Sequence, residues 1–382
     1  MTTRSDPYLL TDIAPGRGHV PTLDGLRAIS IALVMLQHFT DGLPGMPPSP
    51  GLFGVEIFFS ISGFLIARLL LAEMDETGGL SLANFYFRRL LRLSPPLVAL
   101  VAAMSAFMWW HGERDLRAGA CALFYATNYC VTEVGVMYAG PGVNLEGTWS
   151  LAVEEHFYLL FPLALMALYR PDMRGLYALV GAVCAAAMAF RVGYALEGRP
   201  ENFMAWRTES AVDAIMGGCL VSIMSSHAPG RAALRVLATT ASLGAATLVL
   251  LAGEIVSTWS KLGFALAQGA TALWLAFLIA NVLFNPDLAG FRNALNRPAL
   301  TWLGRISYSL YLWHTCVAMV GNHYGLFVGY PGAALAISLS IGLASASYSW
   351  LETPILTRRT RWAKKLGLGA RRPAALLETP PA

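Results

Sequence analysis

An arginine and a histidine eleven residues apart are the first pair whose spacing suggests chemistry. Arg27 and His38 fall in one apolar stretch. At 100° per residue, eleven residues make three turns plus about 20°, so both side chains lie on one face, about 16 Å apart along a helix axis. Imidazole is the side chain best suited to moving a proton near neutral pH. Asp41, three residues on, is placed either to orient that ring or to face the following loop. A histidine packed against a backbone carbonyl gives the same pattern, so the pair alone leaves catalysis and packing both open.

Further polar side chains sit in apolar surroundings, where ionisable groups are costly and therefore functional candidates. Glu154 and Glu155 follow Trp149 and Ser150 in a second stretch. Adjacent helical residues point about 100° apart, so only one of the two carboxylates faces a given site directly. A proton-coupled carrier would use such a pair equally well. Arg88, Arg89 and Arg92 fit either anionic lipid headgroups or the phosphates of a cytoplasmic cofactor. Ser307, Tyr311 and His314 form one helical stripe beside Tyr308, a pattern shared by packing and by sites. Glu56, Asp213 and Glu352 are further carboxylates without a partner readable in sequence.

The elements that must position these residues are apolar. Of 382 residues, 56% are hydrophobic and 13% charged, about half the charge of a soluble domain, and the mean hydropathy is +0.53. A soluble chain of this length has no way to hide so much apolar surface, which excludes a soluble enzyme, a nucleic-acid binder and a disordered protein. The five cysteines, at 121, 130, 184, 219 and 316, show no metal-ligand spacing and suggest neither a disulfide framework nor a zinc site. The polar first twenty residues lack the pattern of a signal peptide, so the first apolar run is expected to stay in the mature chain.

A bilayer core of about 30 Å needs roughly 20 apolar residues per helix. Eleven segments qualify or nearly so, near 24–42, 52–72, 95–111, 117–137, 149–169, 174–194, 209–226, 233–252, 261–283, 302–321 and 331–351. No internal repeat of the kind expected in a secondary transporter is visible. Lys and Arg favour the cytoplasmic side. With eleven spans and an inner N-terminus, about 9 of these residues fall inside and about 16 outside. If the fourth or the seventh segment does not span, the split becomes about 20 inside and about 5 outside. The expected fold is therefore an all-α polytopic membrane bundle of about ten helices with both termini cytoplasmic, the fourth segment short or re-entrant. Residues 1–22 form a cytoplasmic segment, 23–356 the membrane domain and 357–382 a basic cytoplasmic tail. Ser81–Leu93 reads as an amphipathic helix at the cytoplasmic interface, with Pro95 and Pro96 starting the next span.

Five stretches in order carry a family resemblance. Leu23-Asp24-Gly25-Leu26-Arg27-Ala28 followed by His38 resembles the opening of the acyltransferase-3 family of membrane acyltransferases. The run from Gly54 to Ile66 (GVEIFFSISGFLI) is similar to its second-helix signature, and Phe87 to Pro95 (FRRLLRLSP) to its Arg-rich motif. Thr148 to Tyr158 (TWSLAVEEHFY) resembles its Trp-Ser-Leu motif, and Ile306 to His314 with Glu352-Thr353-Pro354 its closing motifs. The resemblance implies a ten-helix bundle that moves an acyl group, commonly acetyl from acetyl-CoA, to a hydroxyl of a glycan or lipid-linked sugar at the bacterial inner membrane, or of a small natural product. No metal and no nucleic acid is implied.

The family's essential histidine falls on His38 and its first-helix arginine on Arg27. Arg88, Arg89 and Arg92 take the donor-binding motif, with Glu154 and Asp41 supporting the histidine. Trp149, Ser150, Glu155, Tyr308 and His314 are expected at the acceptor. Many members carry an arginine two residues before the seventh-segment aspartate, where this chain has Ala211 before Asp213. Many also add a C-terminal hydrolase-like domain. This chain ends about thirty residues after the last apolar run, so none is expected here, and a partner hydrolase-like protein would supply one.

Overall fold

Lipid offers the backbone no hydrogen-bond partners, so apolar stretches of this length satisfy their own amides as helix. The computed structural model describes residues 18–40, 43, 50–112, 116–134 and 145–368. Among them α1 (Pro21–Thr40), α2 (Pro50–Thr77) and α3 (Leu82–Trp110) are long. Three short pieces follow: α4 (Arg117–Leu123), α5 (Thr127–Tyr129) and a π-helical turn, Cys130–Val134. Then come α6 (Trp149–Leu168), α7 (Arg174–Leu196), α8 (Glu201–Trp206), α9 (Thr208–Ser226) and α10 (Ala228–Leu237). The remainder is α11 (Thr240–Ser257), α12 (Lys261–Phe284), α13 (Ala289–Leu295), α14 (Pro298–Arg305), α15 (Ser307–Tyr324), α16 (Gly329–Ser347) and α17 (Thr353–Lys365).

Among the described residues, seven helical runs are long and apolar enough to cross a membrane: α2, α3, α6, α7, α11, α12 and the continuous α16–α17. The α9–α10 pair passes the same test as one element bent by 119°. α11 buries only Ala246, which leaves Leu248, Val249 and Leu251 for lipid. Among the described residues the regular elements are thus all helical, and they are built for a membrane.

The structure departs from the sequence expectations in two places, at Ser81–Leu93 and at Cys121 and Cys130. Ser81–Leu93 and the following span form one helix, α3, which runs through Pro95 and Pro96. The prolines lack the N–H groups that would meet the Leu91 and Arg92 carbonyls, and in the same turn the Tyr308 hydroxyl donates to the Leu93 carbonyl at 2.7 Å. Residues 117–134 are broken into pieces, none long enough to cross. Cys121 and Cys130 form a disulfide, which their spacing does not advertise because nothing local brings them together.

The helices group into two units. The first comprises Met1–Asp41, Gly45–Leu69 and Tyr169–Ser307; the second Gly42–Pro44, Leu70–Leu168 and Tyr308–Ala382. In the first unit α9 packs on α2 through close backbone approach: a side chain at Gly218 would collide with the Ser60 carbonyl. In the second unit α4 lies along α3, with Gly119 against Val101 and Ser105. By Tyr125 the chain has reached Ser94, on the order of 15 Å back down α3 from Ser105.

Candidate active site

In the first unit α1 is held at both ends. Its N-terminal half lies in a groove so narrow that two glycines are required. A Cβ on Gly25 would collide with the Leu295 carbonyl of α13, and one on Gly304 of α14 with the Asp24 carbonyl. Asn296 donates to the Thr22 hydroxyl at 2.9 Å, and Asp24 pairs with His19 at 2.7 Å. At the other end the Gly51 amide donates to Gln37 Oε1 at 2.6 Å. Between these clamps one face of α1 is buried through Leu23, Leu26, Ile31, Val34 and Met35. Arg27 is half-buried and His38 exposed. The helix therefore fixes the register of both side chains and leaves the imidazole accessible. Asp41 lies outside the described residues.

The same unit closes two of its other intramembrane charges on each other. Arg191 of α7 forms an ion pair with Asp213 of α9, their side chains 2% and 6% exposed. The guanidinium donates also to the Ser210 carbonyl at 3.0 Å. Ala211 is therefore no loss of charge beside Asp213, because the arginine comes from a neighbouring helix. Glu56 accepts from Gln268 of α12 at 3.0 Å. Glu209 accepts from the Tyr194 hydroxyl at 2.6 Å and from Arg207 at 2.7 Å.

In the second unit the three arginines of α3 separate. Arg88 bonds back to the Asn84 carbonyl at 3.3 Å and stands 3.9 Å from Glu73, whose other oxygen accepts from the Ser81 amide at 2.8 Å. Arg89 lies over the ring of Tyr158, 4.8 Å from its centroid. Arg92 is half-buried and within electrostatic range of Glu352. Glu352 also accepts from the Ser309 and Ser347 hydroxyls.

The start of α6 is tied to α15. The hydroxyls of Ser150 and Tyr311 are 2.5 Å apart, and Tyr311 donates to the Gly147 carbonyl at 2.6 Å. Trp149 is buried and Glu154 half-buried. His314 is fully buried, its Nδ1 3.1 Å from the Leu310 carbonyl and its ring 5.6 Å from that of Tyr311. Tyr308 is spent on Leu93. The structure thus gathers Ser150, Tyr311 and His314 and points Tyr308 at the α3 backbone.

Arg89 and Glu155 line one pocket of about 260 Å³, together with Tyr86, Ser94, Tyr125 and Tyr158. One carboxylate oxygen of Glu155 is buried without a hydrogen-bond partner. Sequence reasoning missed Tyr125. It sits at φ +53°, in the left-handed region that bulky residues rarely enter, inside the loop closed by Cys121–Cys130. Nothing local in the sequence signals that turn. Tyr158 was within reach, as the last residue of the Trp149–Tyr158 stretch. Among the described residues, no group of three or more His, Cys, Asp or Glu side chains is arranged to hold a metal ion.

A family model described as an acyltransferase domain matches residues 20–350. A Staphylococcus aureus (strain COL) protein named provisionally as an O-acetyltransferase is 30% identical over 358 residues, 88% of this chain and 57% of its own length. The O-acetyltransferase OatA of the same strain is 28% identical over 354 residues, again covering 88% of this chain and 57% of the relative. The chain therefore spans little more than half of the curated relatives it matches. No solved structure matches it.

Proposed function

This chain belongs to the acyltransferase-3 family, and on that footing we propose that it is an integral-membrane O-acyltransferase. It moves an acyl group, acetyl by default, from acyl-CoA to a hydroxyl of a glycan or membrane-associated sugar at the bacterial inner membrane. The observation that carries this reading is α1, clamped at both ends with His38 left accessible. The O-acetyltransferase names of the relatives support the same class of reaction.

The thioester supplies the activated acyl carbon. His38 accepts the acceptor hydroxyl's proton as its oxygen attacks that carbon; the new C–O bond forms, the C–S bond breaks, and His38 returns the proton to the thiolate. In the variant route the imidazole first accepts the acyl group itself. Arg88 and Arg92, with Arg27, serve the phosphates of the donor. Arg88 suits this task because its side chain is 33% exposed. Glu154, with Asp41, tunes the base or holds a sugar hydroxyl. Trp149 and Ser150, with Tyr308 and His314, shape the acceptor side.

Ten spans follow when α1, α15 and the bent α9–α10 element are counted with the seven apolar runs. α1 and α15 are 20 and 18 residues long, close to the roughly 20 that a bilayer needs. Polar residues lower their hydropathy, among them Arg27 and His38 of α1 and Tyr308 and His314 of α15. The broken 117–134 segment agrees with a re-entrant fourth segment, and the arginine and lysine balance then puts both ends in the cytoplasm. A hydrolase-like partner protein remains part of the proposal for glycan acceptors.

The test is purified protein in nanodiscs with labelled acetyl-CoA. CoA release should depend on added acceptor, and His38→Ala should lower it by more than a thousandfold while its thermal melt stays unchanged, as expected for an exposed position. Full transfer by that variant would remove His38 from the mechanism. Label retained on the wild-type protein before acceptor is added marks the acyl-histidine route.

A further inference from the structure

We infer that the pocket between α3 and α6 takes the head of an anionic, hydroxyl-bearing membrane lipid from the side, its chains lying against Leu90 and Leu159. The lining divides by polarity and by depth. Leu90 and Leu159 are 59% and 56% exposed and belong to both the pocket wall and two helices apolar enough to span. On such helices an exposed leucine meets hydrocarbon, so the mouth of the pocket opens toward lipid and not toward water.

The interior is polar. The Arg89 guanidinium sits over the Tyr158 ring, 4.8 Å from its centroid, a contact made through the ring face that uses none of its N–H donors on an acceptor. The orphaned Glu155 oxygen calls for a donor, because a buried acceptor left unmade costs more than a bond gained. A phosphodiester next to free hydroxyls answers both demands at once. Tyr125, hydrogen-bonded to Ser94, adds a hydroxyl to the wall, and the Tyr86 hydroxyl ties the rim by donating to the Leu159 carbonyl at 2.9 Å.

Size sets the limit on the occupant. Drug-sized ligands use pockets of about 300–1,000 Å³. A pocket of about 260 Å³ admits a headgroup such as glycerol phosphate or one sugar, and excludes a whole coenzyme. Lipid binding here does not depend on the transferase reading; the lipid's role as acceptor does rest on it.

The probe is phosphatidylglycerol carrying a photoreactive group in one acyl chain, placed with the protein in phosphatidylcholine nanodiscs without any acyl donor. Crosslinks should concentrate on residues 86–94 and 155–159. Unlabelled phosphatidylglycerol should compete, and added phosphatidylcholine and free glycerol 1-phosphate should not. Arg89→Gln and Glu155→Gln should each lower labelling by about tenfold, the size of one charge-assisted hydrogen bond. Leu159→Trp, which narrows the mouth from the lipid side and leaves the polar wall intact, should do the same and covers the case in which Arg89→Gln does not fold.

Labelling of the pocket no denser than that of α11 would overturn the inference. So would full labelling of Leu159→Trp, or competition by glycerol 1-phosphate as strong as by the lipid. Because no acyl donor is present, a protein that labels but never transfers defeats only the transferase reading, and one that transfers without labelling defeats only this one.

Discussion

Each unit of the protein sets an arginine and a carboxylate on neighbouring helices, and the two arrangements are opposites. Arg191 and Asp213 close on each other, and the guanidinium also takes a backbone carbonyl. Arg89 and Glu155 face a shared cavity, the arginine resting on an aromatic ring and one carboxylate oxygen left unmet. Burying a charge in an apolar medium is costly unless it is paired and hydrogen-bonded. The closed pair meets most of that cost internally, all but the Arg191 Nε, and serves the fold. The open one is completed by a third party, which is the mark of a site.

The largest effect is expected on the closed side. Arg191→Leu strands Asp213 and should cost about 3–5 kcal/mol, read as a lowered thermal melt in detergent. Adding Asp213→Leu should recover most of that loss. A double variant as unstable as the single one would mean that the pair does more than neutralise itself.

Next is the α1 groove. Gly25→Ala pushes a methyl group into the Leu295 carbonyl and should cost about 1–3 kcal/mol or more, seen as a lower yield of monodisperse protein by gel filtration. An unaffected yield would show that α13 yields easily and that the clamp on α1 is loose. The smallest effect belongs to the open side. Glu155→Gln keeps the shape of a side chain one of whose oxygens is already without a hydrogen bond, so its melt should stay within about 0.5 kcal/mol of the parent. A loss as large as that of Arg191→Leu would erase the contrast between the two regions.

What sequence could show follows the range of the interactions. Arg27 and His38 share one helix, so an eleven-residue spacing was enough to place them on one face. Glu154 and Glu155 were separated correctly by the 100° step, and only Glu155 lines the pocket. Spans were legible from composition wherever a helix was uniformly apolar, as in α11 and α12. α1 and α15 were harder because polar residues dilute their hydropathy. The partner of Asp213 was not legible: it comes from another helix, 22 residues earlier. Tyr125 was not legible either, because its place depends on a left-handed turn and on two cysteines nine residues apart with no recognisable motif. The α3 helix ran through two prolines that would end an isolated helix, and the hydroxyl that braces that turn comes from Tyr308, more than two hundred residues away.

The Cys121–Cys130 bond ties this protein to a history as well as a shape. Thiols stay reduced in the bacterial cytosol and oxidise once they have crossed the membrane. The proposed orientation delivers the stretch after α3 to that far side. The turn that carries Tyr125 would then be completed late, after insertion and by a separate oxidation. Protein made in a reducing extract would share every residue with the cellular form and still lack the last covalent step of its maturation.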